Sequence, residues 1–191
     1  AFVLPWVALV LLAGSLQVSS EELQFRVDAF AGVARPLGVE LVHFRNYRKL
    51  VIVASAGESS VSFFSATTTP SWLYTLELFT TVRGIPTPHA VAVCGSEGEG
   101  GVLVTSPTDN SVTVLSTDGR VLGRVSVGAR PHAAACFQDG TRYRGVVSNV
   151  GDDSLVVFDV SSLTVVGRIQ GVAGSSGVRG GAGSQRSQRL R

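Results

Sequence analysis

Methionine is absent, cysteine occurs twice, and charged residues make up only 16% of the 191. Each shortage excludes something. Two cysteines, Cys94 and Cys136, cannot build a multi-bridge disulfide scaffold. A structural zinc site needs more ligands at closer spacing, so no metal site is predicted. Basic residues are also in short supply where they would matter. Residues 21–170 hold twelve Arg or Lys against fourteen Asp or Glu, and the formal net charge of +2 arises from Arg179, Arg186, Arg189 and Arg191 at the end of the chain. A nucleic-acid-binding body carries a basic patch, so nucleic acid is not expected as a partner. There is no Gly-x-Ser-x-Gly elbow, no His-Glu-x-x-His and no phosphate loop. Gly98-Glu99-Gly100-Gly101 lacks the following helix that a dinucleotide site requires. The motifs therefore point to no catalytic residue and no cofactor.

What the chain does have is 45% hydrophobic residues, rich in valine and arranged in short alternating runs. That pattern predicts an ordered, all-β protein. The first sixteen residues, Ala1 to Leu16, are an uncharged apolar run, and the polar stretch Gln17 to Glu22 follows. Residues 1–20 have the shape of a secretory signal peptide. A membrane anchor and a buried element of the fold are the other readings, the run being shorter than the roughly 20 residues of a full span. The first two readings place the protein outside the cytoplasm (secreted, periplasmic or membrane-anchored), with membrane association through residues 1–16. At the other end, residues 171–191 are Gly, Ser, Gln and Arg without apolar period, which predicts a disordered tail or an arginine-rich contact with an anionic surface.

Between these ends the chain repeats itself. Pro88-His89-Ala90 and Pro131-His132-Ala133 lie 43 residues apart, as do Ser111-Val112 and Ser154-Leu155; Gly123-Arg124 and Gly167-Arg168 lie 44 apart. A looser copy opens at Pro36, 52 residues before Pro88, with the excess placed in a polar loop from Ser65 to Trp72. Each unit reads as a four-stranded meander, with hairpin signals at Asp118-Gly119 and Asp139-Gly140. A period of about 40–45 residues suits propeller blades, because stacked sheets bury faces that one sheet alone cannot. The predicted units are 36–87, 88–130 and 131–170. A spare strand at 23–30, Leu23 to Phe30, resembles the strand that ends a unit and suits a role in completing the last blade.

Val127-Gly128-Ala129-Arg130-Pro131, Ser148-Asn149, Ser154-Leu155-Val156-Val157-Phe158-Asp159 and Val165-Val166-Gly167-Arg168-Ile169 carry a likeness to a known pattern. The chain resembles the YVTN-type (YVTN/WD40-like) β-propeller repeat over residues 23–170, most specifically in the last two units. The family's tyrosine is replaced, as in Leu50-Val51-Ile52-Val53, and the Gly-His and Trp-Asp pairs of WD40 are missing. The resemblance implies a partial propeller of about three four-stranded antiparallel blades. Propellers usually close with four to eight. Three blades imply either a piece of a longer propeller or an open arc whose remaining blades, or self-association with another copy, close the ring.

The same resemblance places the start of each unit's first strand beside the central channel, where ligands usually bind. His89, His132 and Arg130 are the candidate ligand-binding residues there. The histidines stand at equivalent positions; Leu37 takes that place in the first unit and His43 falls out of register. A ring of metal-binding histidines and a half-exposed histidine bonded to a neighbouring loop are both open. Asp109-Asn110, Asp152-Asp153 and Glu58-Ser59 precede equivalent strands, where they read as Asx-type turns or as oxygen ligands for calcium. Cys94 and Cys136 follow their prolines by six and five residues, which puts them on opposite faces of their strands unless a bulge intervenes. That argues against symmetric metal ligation, weakens a bridge between them, and favours buried free thiols. The expected function is an exported binding or scaffold module that presents blade loops to a protein or small-molecule partner. The alternative is a fragment of a propeller enzyme of lactonase or quinoprotein-dehydrogenase type.

Overall fold

A computed structural model describes residues 24–26, 33–44, 49–68 and 73–172. The expected signal segment and nearly all of the expected tail lie outside these residues. The described residues form thirteen strands and no helix. The first sheet holds β1 (Gln24–Arg26), β2 (Pro36–His43), β3 (Lys49–Ser55), β4 (Ser60–Thr68) and β5 (Leu73–Arg83). The second holds β6 (Val91–Cys94), β7 (Gly101–Ser106), β8 (Ser111–Leu115) and β9 (Val121–Ser126). The third holds β10 (Pro131–Asp139), β11 (Arg142–Asn149), β12 (Ser154–Asp159) and β13 (Thr164–Gln170). Within each sheet the consecutive strands from β2, β6 and β10 onward pair antiparallel in chain order.

Register confirms the repeat strand by strand. Val39–Val53, Val91–Val104 and Ala134–Val147 are corresponding pairs, and so are Ser55–Ser60, Ser106–Ser111 and Asn149–Ser154. Every outer strand carries a bulge at one place, beside Phe63/Phe64, Val114/Leu115 and Val157/Phe158. The first unit departs from the expected loop at Ser65 to Trp72. Residues 65–68 continue β4 and pair with Glu77 back to Tyr74. The Thr67 and Thr75 hydroxyls meet at 2.8 Å across the ladder, so the extra residues lengthen a hairpin. The stretch predicted as a spare strand contributes Gln24–Arg26, which runs parallel to β5 on the outer edge of the first sheet.

The core lies between the sheets. Ile52, Ala54 and Phe63 of the first sheet meet Val91, Val102, Val104 and Leu115 of the second. Leu103, Val112 and Val114 leave the second sheet on its other side and meet Ala134, Val147 and Phe158 of the third. All six residues of β7 and all five of β8 are buried, as expected for strands covered on both faces. Phe63 and Phe158 have no exposed surface, and burying each contributes about 1.5–3 kcal/mol. Gly145 makes room for the second of them. It lies opposite Phe158 on the neighbouring strand, and a Cβ there would collide with the ring.

Candidate functional site

One end of the stacked sheets gathers the links between units and the turns from second to third strand. Arg35, Thr87 and Arg130 all take positive φ, 53°, 39° and 53°, one residue before each opening proline. Ser59, Asn110 and Asp153 do the same in the turns, at 50°, 51° and 48°. The three turns therefore share one tight backbone geometry. Link and turn are joined backbone to backbone: Ala56 N donates to Arg35 O at 3.1 Å and Gly57 N to Ala34 O at 2.9 Å, as Val150 N does to Arg130 O and Gly151 N to Ala129 O in the third unit.

The two predicted histidines come together at this end, across the seam between the second and third sheets. Their ring centroids are 4.4 Å apart with planes tilted by 47°. His89 Nδ1 lies 3.0 Å from the backbone oxygen of His132. A carbonyl only accepts, so Nδ1 carries the proton and donates, which leaves Nε2 as the acceptor of the neutral ring. Thr105 Oγ1 donates to the same carbonyl at 3.4 Å and accepts from Ala90 N at 2.9 Å. Both rings are half-buried. Arg130 is exposed beside them, its backbone N donating to Asn110 Oδ1 at 2.9 Å. Leu37, at the corresponding place in the first sheet, is half exposed. Thus His89 is bonded across the seam to the first strand of the neighbouring unit, where the expectation had a loop.

The acidic turns are held internally. Asp152 Oδ1 accepts from Ser154 Oγ at 2.7 Å, and Oδ2 accepts from Ala129 N at 3.1 Å and Arg168 Nη1 at 3.3 Å. Arg168 Nη2 then donates to Val127 O at 2.9 Å, in the link from the preceding unit. Asp109, Ser111, Arg124 and Gly84 O repeat the arrangement one unit earlier. Burial pushes the Asp152 carboxyl up, but the Ser154 hydroxyl, the Ala129 amide and Arg168 outweigh it and hold it below the ordinary carboxylate range. The first unit has Glu58 and Thr81 at these places and lacks the brace. The braces do have a sequence signal, the Gly123-Arg124 and Gly167-Arg168 pairs. Spacing alone does not tell what an arginine on an outer strand grips. Among the described residues no group of three or more His, Cys, Asp or Glu is placed to hold a metal.

The opposite end of the seam corrects an expectation. Spacing favours free thiols, yet Cys94 and Cys136 form a disulfide with Cα atoms 5.1 Å apart. The two residues do lie on opposite faces: in register Cys94 corresponds to Phe137, and Cys136 to Val93. Opposite faces are what a bridge between stacked sheets requires, because one sheet offers its far side and the next its near side. Beside the bridge, Tyr143 Oη donates to Glu99 Oε1 at 2.9 Å.

No family model matches the chain, and no curated protein matches it in sequence. Solved structures do match its shape. It is similar to the hydrazine synthase of Kuenenia stuttgartiensis (16% identity over 75% of this chain, TM-score 0.58) and to BBS1N in complex with ARL6DN (11% over 71%, TM-score 0.52). The fold is a partial β-propeller. The chain spans 38% of the length of each of these two structures. At such identities the likeness establishes the fold, and the three sheets are henceforth blades 1, 2 and 3.

Proposed function

We propose that the protein is an exported propeller module that binds a protein or small-molecule partner at the end of the fold that carries His89, His132 and Arg130. The observation that carries the binding site is the paired imidazoles: two half-buried rings at one seam, one tautomer fixed by a carbonyl, with an exposed arginine alongside. Such groups offer hydrogen bonds and charge on a rigid strand-borne frame. BBS1N, of similar fold, is seen with a protein partner, which supports protein binding by this architecture in general. Export is supported by the disulfide, since such bridges persist in oxidising compartments and are rare in the cytosol.

Ligand-observed NMR with a small-molecule panel tests the site. Hits are expected that disappear in the His89→Ala/His132→Ala double variant and weaken in Arg130→Ala. Hits indifferent to all three substitutions would reject the assignment. Cell fractionation tests export: the bridged form is expected outside the cytoplasm, and protein found wholly reduced and cytoplasmic would count against it. The rival reading, a propeller enzyme of lactonase or quinoprotein-dehydrogenase type, has one fact in its favour, that a similar structure is named as a synthase. It requires ligands converging on the axis from several blades, and a stoichiometric divalent ion in the purified full-length protein would favour it.

A further inference from the structure

Blade 3 has one covered face and one open face. In blade 2 the side turned toward blade 3 presents Cys94, Leu103, Val114 and Val125, at most 3% exposed. The register equates these with Phe137, Val146, Val157 and Ile169 of blade 3. There Phe137 is 47% and Ile169 56% exposed, and Val146 and Val157 are half-buried.

A second observation shows what this face is shaped to receive. Where two blades meet, the turn between third and fourth strands of the later blade packs on the outer strand of the earlier one. At the seam of blades 1 and 2 the strand residue is Thr80 and the turn residue Gly119, and a Cβ on Gly119 would lie 2.7 Å from Thr80 Cγ2. At the next seam the sizes are exchanged. The strand residue is Gly123, where a Cβ would collide with the side chain of Leu163 in the turn. Gly119 and Leu163 are equivalent, with φ of 86° and 58°. For a leucine this left-handed backbone is costly, and filling the notch over Gly123 offsets that cost. The third member of the series is Gly167. It has no positive φ, and a Cβ there would meet nothing within 4 Å. A glycine inside a strand costs roughly 0.5–1 kcal/mol relative to alanine. Gly167 flanks the bulge of β13, but Thr80 stands at the same place beside the bulge of β5, so the bulge does not require glycine, and among the described residues no close neighbour does either.

We propose that the open face of blade 3 is a seat for a further four-stranded blade of the same repeat, and that Gly167 is the notch for a Leu163-like side chain in that blade's turn. The seat is independent of the ligand reading above. The occupant is a blade because the open face repeats, position for position, a face that a blade already covers at the preceding seam.

The test extends the full chain by a second copy of residues 129–172 inserted after Val172, with Cys136→Val in the added copy only, the residue blade 2 carries there. The thermal midpoint is expected to rise by about 5 °C or more, and Phe137 and Ile169 to become protected from hydroxyl-radical labelling. Gly167→Leu should leave the midpoint of the parent chain within about 2 °C, its side chain entering open space, and should abolish both gains in the extended chain. So should Leu163→Asp in the added copy. An extended chain that forms the Cys94–Cys136 bridge yet leaves Phe137 and Ile169 fully labelled would overturn the seat. Gains that survive Gly167→Leu would overturn the notch. A parent-chain dimer, detected by light scattering and dissolved by Gly167→Leu, would put a second copy in place of the blade and overturn the occupant.

Discussion

At the scale of single residues, carboxylates set the acid limit of the fold. Asp159 is almost fully buried and accepts from Ser162 N at 2.9 Å and Ser161 N at 3.0 Å, while Arg144 Nη1 lies 2.8 Å away. The Ser162 amide leads in holding its carboxyl below the ordinary range, and Arg144 adds to it against the opposing effect of burial. Asp152 is depressed as well. A depressed folded-state value means stability that is complete above the unfolded value of about 3.9 and is lost as pH falls through the folded value. Urea midpoints measured from pH 6 down to pH 2 should therefore be flat to about pH 4 and fall below it. Asp152→Asn/Asp159→Asn should begin lower and show a shallower fall. A double variant with the wild-type slope would mean that other groups carry the acid transition. The sequence displays Asp159 at the end of a strand motif. The amides it caps follow two and three residues later and are legible there; the sequence does not display Arg144, which comes close only after β11 and β12 pair.

Within one blade, Gly145 and Phe158 compete for one space. They are cross-strand partners, and the ring occupies the space a side chain at 145 would need. Gly145→Val should cost about 1–3 kcal/mol by overpacking, and Phe158→Ala about 3–5 kcal/mol by leaving a cavity. Adding the two substitutions together should cost less than the sum, because a valine fills part of the space the ring leaves. Chemical denaturation of the three variants measures this; strict additivity would show that the two sites do not share space. Strands and turns of this kind were the most legible part of the chain: alternation, Asp118-Gly119 and Asp139-Gly140 locate them, and Gly119 and Gly140 take positive φ as such turns require. The hairpin of β4 and β5 is not placed by the sequence, because Ala66-Thr67-Thr68 reads equally as polar loop or β-branched strand. The difference lies in the partner, Leu76 to Tyr74, which local composition does not name.

Across the whole molecule, one core joins blades 1 and 2 and another joins blades 2 and 3, so stability is distributed as in other stacked repeats. Blade 2 is covered on both faces and should open last. Blade 3 has one covered face and the exposed outer strand β13, and it is tied to blade 2 by the core around Phe158, the His89–His132 contact, the Arg168 brace and the disulfide. The repeat made the stacking legible. The bridge was not, because the sense in which opposite faces meet depends on the stack and not on either strand. Its sequence separation of 42 residues corresponds to about 4 kcal/mol of chain-entropy stabilisation. Reduction should release that stabilisation unevenly. Native-state hydrogen exchange on oxidised protein is expected to protect the amides of β7 and β8 most and those of β13 least. After reduction, protection should fall furthest in β10 to β12, where the covalent tie to blade 2 held a sheet with one open face, and less in β7 and β8, which keep blade 1. Equal loss of protection in blades 2 and 3 would mean that the two unfold as one unit and that the seam, not the blade, is the cooperative element.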